Sequence, residues 1–164
     1  MGRILIYVSV FILLGSCKQQ ENIAAVEEKA EVFFSVDSIP KPKELNEEAM
    51  AIIKEWQEFI GLENTFESLY RVANREDLVL VIEDLIEKQK TLEASTYPAT
   101  FDIPQIKSRQ KVFKTYILKT KGNLEYRDGT KGSTIEMIEA YNAFRNQFNV
   151  IVNSRLDTLL IFSE

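Results

Sequence analysis

Between residues 103 and 124 the chain carries six cations, Lys107, Arg109, Lys111, Lys114, Lys119 and Lys121, and no carboxylate. At 100° per residue, Lys107, Lys111, Lys114 and Lys121 fall on one helical stripe, about 110° away from the apolar row of Ile106, Phe113, Ile117 and Leu124. A row of ammonium groups attracts phosphate, sulfate or carboxylate, which suits lipid headgroups, an acidic polysaccharide or an acidic protein. The same row could instead balance Glu76, Asp77, Glu83, Asp84 and Glu87 on the helix before it. A second polar row, Asn142, Asn146, Asn149 and Asn153, recurs at +4, +3 and +4, opposite an apolar seam. Asparagine is a poor helix former, so four on one face could mark a hydrogen-bonding contact surface for a partner, the alternative being an ordinary solvent-exposed face. Arg155 sits in the apolar lane of that segment and is a possible core polar site, where with Tyr141 it could hold a small apolar or anionic ligand.

Other chemistries fail on residue type or spacing. The sequence has no histidine. That removes the usual general base, the commonest metal ligand and every Ser-His or Cys-His nucleophile pairing. Glu83 and Asp84 are sequence neighbours and face about 100° apart on a helix, poor geometry for two carboxyls sharing one glycosidic bond. Residues 129–134 supply Gly, Lys, Ser and Thr ahead of a helix but lack P-loop spacing and a preceding strand. An EF-hand loop counted from Gly129 would place Leu124, Tyr126 and Ile135 at ligand positions. Haem and di-iron sites both need the missing histidines. The expectation is a non-enzymatic protein with no metal or cofactor beyond a covalent lipid.

That lipid is implied near the start of the chain. Arg3 precedes an apolar stretch over residues 4–14, broken only by Tyr7 and Ser9 and followed by Gly15, Ser16 and Cys17. The stretch is too short to span a bilayer, which takes about 20 apolar residues, and it has signal-peptide anatomy. Leu14-Gly15-Ser16-Cys17 resembles the lipobox of bacterial lipoproteins. The resemblance covers the first 17 residues. It implies that Cys17 is the lipid attachment site, that residues 1–16 are cleaved, and that residues 17–41 form a lipidated N-terminus and tether. Cys17 is the sole cysteine, so an internal disulfide is impossible and lipidation accounts for it. Lys18, rather than Asp, follows it, which by the same resemblance favours the outer membrane. Removing residues 1–16 takes away Arg3 alone among the charged residues and moves the net charge from −5 to −6. That charge opposes general attraction to nucleic acid. The expected partners are the membrane, through the anchor, and an envelope protein or polysaccharide.

The elements that must position these side chains are helical. Apolar residues recur at +3 and +4 over 42–60 (Leu45, Ala49, Ile52, Trp56, Phe59), predicting a first helix closed by Gly61. Asn64 is then expected to cap a second helix reaching about Leu92. Its apolar face shifts by about 110°, and Asn74 with Glu76 and Asp77 looks like a new N-cap, so the helix should break near Ala73–Arg75. Aromatic residues on the 93–102 loop should plug a bundle end. Asp102 should cap a third helix with Pro104 in its first turn. Ser133-Thr134-Ile135-Glu136 reads as a capping box for a fourth helix to about Phe162. Residues 42–164 are thus expected to be all-α, an antiparallel up-down-up-down four-helix bundle. Val32, Phe33 and Phe34 interrupt the tether and are expected either to dock on that domain or to rest at the lipid interface.

Overall fold

The computed structural model describes the backbone of residues 38–161 and the side chains as far as Ser154. Cys17, the tether and Val32–Phe34 lie outside the described residues, as does the side chain of Arg155, whose backbone is helical. The described chain is all-helical, with no strand among these residues. Its α-helices are α1 (Glu47–Ile53), α2 (Gln57–Ser68), α3 (Arg75–Ala94), α4 (Pro104–Glu125) and α5 (Thr130–Ile161).

The expected first helix is divided. Residues 41–46 are not helical, and α1 starts where the Asn46 side chain accepts from the Ala49 amide at 2.9 Å, with Glu47 and Glu48 against the positive end of the helix dipole. The helix stops after two turns, and Trp56 (φ −100°) starts α2 without a side-chain cap. The +3/+4 spacing misled here because Trp56 answers to tertiary partners. Its buried indole donates to Ser95 Oγ at 2.9 Å and lies 4.8 Å from the Tyr97 ring. Gly61 does not end a helix, and Asn64 caps nothing. Helix α2 runs through both because Phe59, Leu62, Phe66 and Leu69 make one unbroken buried face. That burial, about 1.5–3 kcal/mol per large side chain, outweighs the roughly 1 kcal/mol cost of a helical glycine.

The break before α3 falls where expected. A 3₁₀ turn, Leu69–Arg71, leads to Asn74, whose side chain accepts from the Asp77 amide at 2.8 Å while Asp77 Oδ2 accepts from the Ala73 amide at 3.2 Å. This reciprocal cap turns the chain so that Leu78, Ile82, Leu85 and Leu92 all point inward.

In α4 the buried row is Ile106, Gln110, Phe113, Ile117, Thr120 and Leu124. Asp102 is not its cap. Ile103 occupies that position with no side-chain bond, and Asp102 instead pairs with Lys107 at 2.5 Å. The helix ends in a Schellman turn, with Asp128 N donating to Asn123 O at 3.0 Å and Arg127 in the left-handed region at φ 54°.

Helix α5 begins at Thr130, one turn before the expected capping box. Ser133 and Thr134 are buried inside it, and Ser133 O accepts from Thr120 Oγ1 at 3.1 Å. Glu136 pairs with Lys119 of α4 at 2.5 Å. Those residues face α4, and that contact displaces the capping role.

An aromatic core joins these pieces. Phe59 lies 5.1 Å from Phe148, Phe66 stacks on Tyr141 at 3.7 Å, and Phe113 lies 5.1 Å from Tyr141. Phe101, on the loop before α4, is fully buried 4.6 Å from Phe148, as a plug should be.

Candidate functional site

The asparagine row on α5 meets the chain's own residues. Asn142 Oδ1 accepts from Lys43 N at 2.6 Å while its Nδ2 donates to Lys41 O at 2.9 Å. Asn149 repeats the pattern, accepting from Asn46 N and donating to Glu44 O, both at 2.9 Å. Asn153 Oδ1 accepts from Asn46 Nδ2 at 2.9 Å. The registers match, because seven helical residues rise about 10.5 Å and three extended residues about 10 Å. Each side-chain amide gives two hydrogen bonds worth about 1 kcal/mol apiece, more than its helix-propensity penalty of up to about 0.7 kcal/mol. The Asn146 side chain has no hydrogen bond among the described residues. The strap formed by residues 40–46 is held further by Tyr70, whose hydroxyl donates to Pro40 O at 2.6 Å, and by burial of Ile39.

Sequence reasoning missed Arg145. It lies between Asn142 and Asn149, donates through Nε to Lys43 O at 2.5 Å and through Nη1 to Glu63 of α2, and stands 3.5 Å from the Tyr141 hydroxyl. Burial lowers its pKa below the usual 12.5, yet an arginine there remains a cation at neutral pH. The signal was present in its +4 spacing from Tyr141 and +3 spacing to Phe148, the same seam-flanking logic that drew attention to Arg155.

The basic stripe of α4 is largely neutralised, though not by the acids first considered. Lys107 pairs with Asp102 and Lys114 with Glu93, each at 2.5 Å, and Lys121 lies 3.8 Å from Glu125 on its own helix. None of Glu76, Asp77, Glu83, Asp84 or Glu87 meets the stripe among the described residues. Such half-exposed pairs contribute about 0–1 kcal/mol each. Lys111 has no ion pair among the described residues.

Lys111 instead lines a half-open cleft of about 270 Å³ where the end of α3, the following loop and the start of α4 converge. Glu93, Ser95, Thr96 and Tyr97 contribute one side; Asp102, Lys107, Gln110 and Lys111 complete it. Tyr97 organises this place. Its hydroxyl donates to Gln110 Oε1, its ring lies 5.3 Å beneath Lys107 Nζ, and its pKa is raised above 10.0 by burial, with the charges of Glu93 and Asp102 adding to the rise. It is a fixed neutral donor at physiological pH. Gln110 is 2% exposed, and its Nε2, like Gln89 Oε1 on α3, has no partner among the described residues.

Among the described residues no helix is long and apolar enough to cross a membrane, and no group of three or more Asp, Glu, His or Cys side chains could hold a metal ion. No protein-family model, curated protein or solved structure gives a match to this chain.

Proposed function

We propose that this chain is a lipid-anchored protein of a bacterial envelope whose helical domain, without enzymatic activity, presents an interaction surface to an envelope protein or polysaccharide. The observation that carries the reading is Leu14-Gly15-Ser16-Cys17 at the end of an apolar stretch too short to span a bilayer. Each buried methylene of an attached acyl chain contributes about 0.8 kcal/mol, so two or more chains give a lasting anchor. Lys18 after the cysteine favours the outer membrane. The basic stripe and the cleft at Lys107 and Lys111 form the surface assigned to the partner. Short connections between α3, α4 and α5 support an antiparallel up-down-up-down arrangement, with α1 and α2 together serving as the first segment.

Metabolic feeding with an alkyne-tagged palmitate tests the anchor. Wild-type protein should be labelled and remain with membranes in high salt, and Cys17→Ala should be unlabelled. An unlabelled wild type that washes off with salt overturns the reading.

A further inference from the structure

We propose that the cleft between the 95–103 loop and α4 binds one carboxylate-bearing sugar residue, a hexuronate, of an acidic polysaccharide. This rests on the domain being an interaction module and names what it grips. The polar groups of the cleft define the ligand. Lys111 is a cation without an ion pair among the described residues, in a cleft where Lys107 is already held by Asp102. Lys114, outside the lining, holds Glu93 as Lys107 holds Asp102, so both carboxylates of the cleft are committed to other lysines and the Lys111 ammonium is left for a single anionic group. Asp102 and Glu93 each give one oxygen to a lysine, through Oδ1 and Oε2. Both carboxylates are about half exposed, at 52% for Asp102 and 41% for Glu93, so each keeps an oxygen that can accept from a ligand hydroxyl, and Thr96 adds a hydroxyl to the lining.

A ligand with one carboxylate and several hydroxyls answers all of these groups together. The carboxylate goes to Lys111, and ring hydroxyls donate to Asp102 and Glu93. An acidic peptide satisfies Lys111 equally but sets its further carboxylates against those of Glu93 and Asp102. The cleft, about 270 Å³ and half-open, suits one sugar ring rather than a folded partner. Tyr97 fixes the wall by holding Gln110, and with Lys107 over one face of its ring it orders the loop side against the helix side.

Trp56 is the only tryptophan in the chain and lies 4.8 Å from Tyr97, so its fluorescence reports on the cleft. The detergent-solubilised full chain would be titrated with glucuronate, glucose, acetate and an oligoglutamate peptide. Glucuronate should give a saturable change that Lys111→Gln weakens at least about tenfold, the effect of losing one charge-assisted hydrogen bond. Arg109→Gln, which removes the same charge from α4 outside the cleft, should bind as wild type does. Glucose and acetate should each bind far more weakly, since each offers half of the recognition. Equal binding of acetate, preference for oligoglutamate, or equal loss in Arg109→Gln would each overturn the proposal. So would no response to glucuronate. Palmitate labelling is independent of all these outcomes, so a labelled protein that ignores glucuronate refutes the ligand and leaves the anchored module standing.

Discussion

Arg145 and Glu63 form the least exposed ion pair of the described residues, with side-chain exposures of 12% and 15%. Glu63→Gln keeps an acceptor but removes the charge, leaving a mostly desolvated guanidinium with a neutral partner in place of a charged one. Its expected cost is roughly 1.5–3 kcal/mol, the range for hydrogen bonds to charged groups. Glu93→Gln, which breaks the exposed pair to Lys114, should cost under about 1 kcal/mol. Urea unfolding midpoints for the two variants would check the contrast, and equal losses would contradict it. At this scale the sequence was half legible. Cations and amides could be located from spacing alone. Which arginine meets a carboxylate could not, because Glu63 is 82 residues from Arg145 and belongs to no pattern containing it.

The strap and its rail, the pair Asn142 and Asn149 that grips it, belong to the scale of elements. Asn142→Ala combined with Asn149→Ala removes four hydrogen bonds to the main chain of residues 41–46. Water replaces part of that loss and alanine favours the helix, so the expected destabilisation is roughly 1–3 kcal/mol. Hydrogen exchange should quicken at the amides of Lys43 and Asn46 and stay slow in α3 and α4. Asn146→Ala is the control: with no hydrogen bond to lose, it should be neutral or slightly stabilising, and a cost equal to the double variant would sink the rail. Element legibility followed the source of the order. The row in α4 could be read outright because amphipathic period and burial coincide, and the cap at Asn74 is local chemistry. The split at Trp56, the uninterrupted passage through Gly61 and the early start of α5 are set by distant partners, which outweigh glycine and capping signals.

For the whole molecule the clearest expectation concerns alkaline pH. Burial raises the pKa of Tyr70 to about 12 and lifts Tyr97 and Tyr141 above 10.0. These three phenols hold the strap, the cleft loop and the aromatic core in turn. A phenol whose folded pKa exceeds its unfolded value of about 10 binds its proton more tightly in the fold. That contribution is complete below about pH 10 and is lost as pH rises through the folded pKa, which for Tyr70 is about 12. Unfolding free energy should fall across that window, with tyrosinate absorbance and loss of helical circular dichroism rising together. A flat profile there would mean the phenols are not held as described. The all-α class was legible from the apolar rows. The cleft was not, because it is made by a loop folding back on two helix ends, and no periodicity encodes that meeting.

Because the rail grips amide and carbonyl groups rather than side chains, the letters at Lys41, Lys43 and Glu44 are nearly free to drift, whereas Asn142 and Asn149 are not. A distant cousin of this chain should therefore betray itself by two amides seven positions apart on its last helix, opposite a proline-containing segment whose own spelling has become unrecognisable.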